Sequence, residues 1–216
     1  TIIWILAQTR SAISAIISQN LGAGNLKSLT SFPAQAILFN ISLSFILLFS
    51  TYFFIEDILL FLRAEGKILE FSKEYYYIRI WGFPLTLFTF AIFGLFRGLQ
   101  NTFWPMIIAS IGVFINVGLD FIFVYGLEDF MEPMGVKGAA WASLIAQLVM
   151  ALLALVLVVT KTNISLKLKR KVHPEVKRLI SMSFNLFIRS VALNIALLMA
   201  VREATSLGKE FIAAHT

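Results

Sequence analysis

Long runs without a charged residue constrain this chain more than any other feature of its sequence. Four such runs separate the charged segments, and they cover residues 28–55, 80–96, 98–119 and 138–160. A transmembrane helix needs roughly 20 predominantly apolar residues, a length that these runs approach or exceed. Because 59% of all residues are hydrophobic and only 14% are charged, a soluble fold would lack the polar surface to cover itself. The sequence therefore predicts an all-α polytopic membrane protein.

Six membrane spans are predicted when helix-ending residues are taken into account. They cover about residues 2–20, 32–55, 76–96, 105–125, 138–160 and 179–204. Pro84 predicts a kink in the third span, and Gly94 and Gly98 form a GxxxG pair that is typical of closely packed helices. Residues 56–74 hold five acids and three bases and are predicted to form a charged loop.

The loops alternate in charge along the chain. Those after the first, third and fifth spans carry Lys27, Arg97 and, within residues 161–178, seven bases with one acid. The loops after the second and fourth spans each have a net charge of −2. Cytoplasmic loops carry an excess of Lys and Arg, so the basic loops are predicted to be cytoplasmic in a bacterial inner or plasma membrane. The net charge of +6 therefore indicates orientation in a bilayer rather than nucleic-acid binding.

One acidic residue, Asp120, lies well inside a predicted span, in FINVGLDFIFVYG. A charge at the bilayer centre costs roughly 2.5–3.5 kcal/mol on insertion scales, so such residues usually face a cavity or a partner. Asn116 lies one turn earlier on the same face and Gly112 one turn before that, which predicts a small, polar, cavity-facing stripe. A desolvated carboxylate can hold a proton, or it can bind Na⁺ together with an amide oxygen. A structural hydrogen bond between helices is the alternative.

Two arginines also fall inside predicted spans. Arg10, in LAQTRSAIS, could pair with Asp120 or face an anionic substrate. Arg189, about three turns into the last span, could reach the interface by snorkelling or face a cavity.

Signals of an enzyme are absent from the sequence. There is no Cys, and the two histidines, His173 and His215, form no metal-ligand motif such as HExxH. The glycines of GAGN (residues 22–25) lack the βαβ context of a dinucleotide site. The sequence therefore predicts no enzyme, no cofactor and no metal site beyond a Na⁺ ion at Asp120.

Three segments carry motifs in a recognisable order: FRGLQNTFWPMIIASIGVFINVGLDFIFVYG, MGVKGAAWASLIAQ and FNLFIRSVALNIALLMAVREATSLGKEFIAAHT. The motifs are an arginine–glycine loop before a proline, an NxxxD helix, a GxxGAAxA(S/T) helix start and a final AAH. In these features the chain resembles the multidrug and toxic compound extrusion (MATE) family, and in particular its DinF-like branch. The resemblance implies a twelve-helix bundle of two six-helix lobes, of which this chain would supply helices two to seven.

The family map implies a division of the chain and a cation site. Residues 1–160 would form first-lobe helices two to six, 161–178 a basic cytoplasmic linker, and 179–216 the first helix of the second lobe and the start of the next. Helix one would precede this chain, which starts and stops within apolar runs. The branch's first-lobe cation site has an acid on helix one, the Asn and Asp of helix five and a hydroxyl on helix six. Asn116, Asp120 and Ser143 match the last three, although Thr is more usual than Ser.

The resemblance implies a monomeric secondary antiporter in the lipid bilayer. It would export organic solutes or drugs in exchange for H⁺ or Na⁺ by alternating access. A related flippase for lipid-linked oligosaccharides is the alternative, and Arg10 and Arg189 favour it because such a flippase should have more cavity arginines. A membrane enzyme would need a His/Asp or metal cluster, and a structural subunit gives no reason for Asp120.

Overall fold

The described residues form seven α-helices in a computed structural model of the chain. The structure describes residues 8–25, 29–61, 63–126, 131–162, 166–169 and 171–206. The helices are α1 (Gln8–Gly22), α2 (Phe32–Phe61), α3 (Gly66–Arg79), α4 (Gly82–Gly98), α5 (Phe103–Tyr125), α6 (Gly135–Lys161) and α7 (Pro174–Ser206). The predicted all-α class is confirmed.

Four of the six predicted spans correspond to single long helices. By length and apolar composition, α2, α5, α6 and residues Pro174–Leu197 of α7 could each cross a membrane. Pro174 starts α7 five residues before the predicted start, because proline is well suited to the first position of a helix. The beginning of the first predicted span and the final AAH motif with His215 lie outside the described residues.

The third predicted span is bent, as Pro84 predicts. It is a pair of helices, α3 and α4, that meet at a 49° bend and together are long and apolar enough to form one broken span. The break falls at Ile80 and Trp81, within one turn before Pro84, where the proline ring would clash with the carbonyl group of residue i−4 in a continuous helix. Pro84 itself lies in the first turn of α4, where its missing N–H is not needed.

The predicted charged loop at residues 56–74 is wrong for most of its length. Helix α2 continues to Phe61 and α3 begins at Gly66. An ion pair between Lys73 Nζ and Glu56 Oε2, at 2.7 Å, joins the two helices across this turn. The charges of this segment therefore lie at the end of α2, in the short connection and along the first two thirds of α3.

The main hydrophobic core lies where α1 packs against α4. Its fully buried members include Ile13 and Ile17 of α1 and Ile92 and Phe96 of α4. A Cβ atom at Gly94 would lie 2.7 Å from the carbonyl oxygen of Arg10, and one at Gly98 would lie 2.5 Å from Cβ of Ile17. The GxxxG pair therefore permits the close packing that its spacing predicts, and it fixes α1 and its Arg10 against α4.

This contact leads to a prediction about stability. Gly94→Ala should destabilise the full-length protein by about 1–3 kcal/mol, because the added methyl group meets the backbone of α1, which cannot move aside cheaply. Gly118→Ala is the matched control, since a Cβ there has no atom within 4 Å. Thermal unfolding of the detergent-solubilised variants measures both, and equal melting temperatures would contradict the described packing.

Candidate functional site

Five helices surround a cavity of about 590 Å³. Its polar lining comes from α1, α3, α4, α5 and α6: Arg10, Arg79, Thr86, Thr89, Asn116, Ser143 and Gln147. Phe90, Phe93, Val113 and Met150 contribute an apolar part of the wall. Gln147 lies twelve residues after Gly135 in the 27-residue α6, about 18 Å along the helix at 1.5 Å per residue. The cavity therefore reaches the middle of the helices.

Small residues bring α5 and α6 together on one side of this cavity. A Cβ atom at Gly112 would overlap the side chain of Met150, and one at Gly138 would lie 2.5 Å from the carbonyl oxygen of Phe123. In this close packing Asn116 Nδ2 donates a hydrogen bond of 3.4 Å to Ser143 Oγ. The structure thus brings two of the three expected cation-site residues into contact and places both on the cavity wall.

Asp120, the third expected residue, lies one turn further along α5, beyond the cavity lining. Its Oδ1 atom is buried and accepts no hydrogen bond. A buried polar atom without a partner costs about 1–3 kcal/mol, which is the cost that a bound proton or cation would remove. Of the predicted polar stripe, Gly112 and Asn116 line the cavity, whereas Asp120 lies past its edge.

Arg10 lines the cavity but forms no ion pair with Asp120. The ion pairs of the described residues are Lys73–Glu56, Lys137–Glu74 and Arg178–Glu175. The guanidinium carbon of Arg10 instead lies 5.4 Å from the ring centroid of Phe90, within the range of a cation–π contact. Its Nε atom is buried and donates no hydrogen bond. The expected structural pairing is therefore not formed.

Arg189 lies outside the cavity, and a different arginine lines it. Arg189 is exposed on α7 within this chain. Arg79, at the end of α3, directs Nη1 to Gln147 Oε1 at 2.6 Å. Arg79 was not among the predicted site residues, because it lies near the start of the third predicted span, where a basic residue can reach the interface. A charged residue within the run YYYIRIWGFP, five residues before a proline, was the available signal.

Comparisons with known proteins identify the family of this chain. The MatE family model matches residues 1–122, more than half of the 216 residues. A probable multidrug resistance protein NorM of Thermotoga maritima is 30% identical over 148 residues, which is 67% of this chain and 31% of the relative. The DNA damage-inducible protein F of Escherichia coli is 24% identical over 217 residues, which is 98% of this chain and 46% of the relative. The chain therefore spans half or less of the length of these relatives.

Solved structures of the family share the fold. A crystal structure of MATE in complex with MaD5 superposes with a TM-score of 0.86 at 22% identity, covering 98% of this chain and 48% of that one. The matched half of that structure carries the same helical arrangement. Together with the family match and the apolar helices, these similarities show that the chain is a multi-pass membrane protein that belongs to the MATE family.

Proposed function

We propose that the full-length protein is a secondary active transporter that exports organic solutes in exchange for H⁺ or Na⁺. Membership of the MATE family supports a transporter rather than an enzyme. The cavity among five helices has the size of many small-molecule sites, about 300–1,000 Å³. Alternating access would expose this cavity to each side of the membrane in turn.

The observation that carries the ion-coupling part of the proposal is the buried, unpartnered Oδ1 of Asp120. The Asn116–Ser143 hydrogen bond lies one turn away and is long, at 3.4 Å. A proton on Asp120 would remove its charge, whereas Na⁺ would recruit the carboxylate, amide and hydroxyl oxygens that hard cations prefer. Either ion would change how α5 packs against α6. Coupling follows if the two states of the transporter bind the ion with different affinity.

We also propose that α7 begins a second lobe and that residues 162–173 form the connection to it. The Gln35 side chain at the start of α2 donates hydrogen bonds to the carbonyl oxygens of Lys169 and Lys171, at 3.1 and 2.8 Å. It also accepts one of 2.8 Å from the backbone N–H of His173. These contacts would fasten the basic linker to the first lobe, and Leu179 of α7, buried in the same core as α1, continues the attachment into the helix.

The flippase for lipid-linked oligosaccharides stays a second candidate because of one observation. Two arginines line the cavity, as such a flippase should have, although they are Arg10 and Arg79 and not Arg189. A lipid-linked substrate that accumulates when the protein is removed from its cell would favour the flippase.

Proteoliposomes holding the full-length protein test ion coupling directly. Export of a solute should stop when one of the two gradients, H⁺ or Na⁺, is collapsed and continue when only the other is collapsed. Export that survives the collapse of both gradients would contradict the proposal. Liposomes without protein correct for leakage.

A further inference from the structure

Two cationic side chains face the cavity, and none of the acidic residues that the structure describes lines it. Arg10 reaches it from α1 and Arg79 from α3, whereas its other polar lining residues are neutral amides and hydroxyls. Neither arginine takes part in an ion pair among the described residues. The lining that the structure describes therefore carries a net positive charge, which would repel a cationic solute.

Arg79 is held in a fixed position at the break between α3 and α4. Its Nη1 atom donates to Gln147 Oε1 at 2.6 Å, and Gln147 is itself only 8% exposed. A Cβ atom at Gly82 would overlap Gln147 Oε1 and lie 2.8 Å from Arg79 Nη1, so glycine leaves the room that this pair needs. A guanidinium group has five N–H donors, and the bond to Gln147 uses one of them. Most donors of a preorganised arginine thus stay available to a ligand.

Arg10 adds a second set of unused donors. Its guanidinium carbon lies 5.4 Å from the ring centroid of Phe90, and its N–H groups form no hydrogen bond with the residues that the structure describes. The buried Nε–H has no acceptor. Burying a charged donor without an acceptor is costly, and an anion beside the guanidinium group would offset that cost by balancing its charge. Beside the two arginines, the phenyl rings of Phe90 and Phe93 with Met150 form an apolar wall.

We propose that this cavity selects an organic anion: a soluble carboxylate or sulfonate joined to an apolar, aromatic-sized body. The acidic group would lie between Arg10 and Arg79, and the apolar body would lie against Phe90, Phe93 and Met150. This assignment rests on the proposed function, because it names the class of solute that the transporter moves. The Asp120 carboxylate lies beyond the cavity lining, whereas Asn116 and Ser143 line it, so the coupling ion would bind at the edge of the cavity that holds the anion.

Calorimetric titration of the purified full-length protein with two probes of the same shape tests the charge preference. Sodium naphthalene-1-sulfonate should bind saturably, and 1-naphthylmethylammonium chloride should bind at least about tenfold more weakly, since charged hydrogen bonds are replaced by repulsion. Stronger binding of the ammonium probe, or no saturable binding of the sulfonate, would overturn the assignment. Because this comparison uses the wild-type protein, it does not depend on the folding of any variant.

Arginine variants test whether the side chains of Arg10 and Arg79 cause the preference for the sulfonate probe. Arg10→Gln and Arg79→Gln should each weaken sulfonate binding about tenfold or more, and Arg79→Lys should fall between wild type and Arg79→Gln because lysine keeps the charge without the planar fork. Arg63→Gln removes the same charge from an exposed residue between α2 and α3 and should leave the affinity unchanged. Equal loss in Arg63→Gln, or wild-type affinity in both glutamine variants, would contradict a specific site.

Two further experiments distinguish a soluble anion from a lipid-like one, and the anion site from the proposed antiport. If dodecyl phosphate binds and naphthalene-1-sulfonate does not, the cavity takes a lipid-like anion and the soluble class is wrong. Titration needs no ion gradient, so sulfonate binding without gradient-driven export would overturn the proposed antiport and leave the anion site standing. If a gradient drives export of the ammonium probe and neither arginine variant changes that export, the proposed antiport stands and the anion site is wrong.

Discussion

Replacing Asp120 by asparagine is expected to weaken ion-driven efflux strongly while the protein still folds. The variant keeps the shape of the side chain but can neither take up the coupling proton nor offer a carboxylate to Na⁺. A gradient can shift the transporter only through the differential affinity of its two states for the ion. With a coupling free energy of about 1–3 kcal/mol, gradient-stimulated export should fall about 5–150-fold in proteoliposomes.

The stability of the same variant separates ion binding from a purely structural role. Asp120 Oδ1 accepts no hydrogen bond, so Asp120→Asn should change the free energy of unfolding by less than about 1 kcal/mol. Asp57→Asn is the matched control, because it removes a carboxylate that is exposed at the end of α2, and it should leave export unchanged. A variant that unfolds more easily but keeps wild-type coupling would show that Asp120 acts as a hydrogen-bonding partner between helices.

Filling the cavity should have the second-largest effect. Ala146 lines the cavity from α6 and is 2% exposed, so the ring of Ala146→Phe would occupy space beside Gln147 that the solute needs. Overpacking should cost about 1–3 kcal/mol of stability, and export should fall about tenfold or more because solute and ring compete for one volume. Initial rates, normalised to the amount of folded protein in proteoliposomes, measure this effect.

The control for this prediction lies two residues away on the same helix. Leu148 is 45% exposed and does not line the cavity, so Leu148→Phe adds a ring of the same size outside it. We expect wild-type export from this variant. If Ala146→Phe stays folded and exports at the wild-type rate, solutes do not pass through the cavity.

Charge-free runs were enough to predict the all-α membrane fold, because a bilayer requires long apolar helices whatever their packing. They could not reveal the break between α3 and α4. Nothing in the apolar content of residues 76–96 distinguishes one helix from two. The fit of Gly82 against Arg79 and Gln147 accompanies the bend, and it involves a residue 65 positions further along the chain. The charged ends of α2 and α3 resembled a loop because charge density alone does not separate solvated helix ends from turns.

The site was predictable where it depends on local spacing and unpredictable where it depends on packing between helices. Helical periodicity predicted Asn116, and the family resemblance predicted Ser143. In the structure a hydrogen bond connects the two side chains. Arg79 was missed because its access to the cavity depends on the packing of α3 beside Gln147 of α6, which the spacing along one helix does not show. The exposure of Arg189 depends on how α7 packs against other helices, and the residues of α7 alone do not predict that packing.

Ion binding to the purified full-length protein tests the central claim most directly. Binding of radioactive Na⁺ and uptake of protons would be measured in detergent without a gradient, for the wild type and for Asp120→Asn. We predict that the wild type binds one of the two ions saturably and that Asp120→Asn binds neither. Saturable binding of the same ion by both proteins, with equal affinity, would show that the coupling site lies elsewhere.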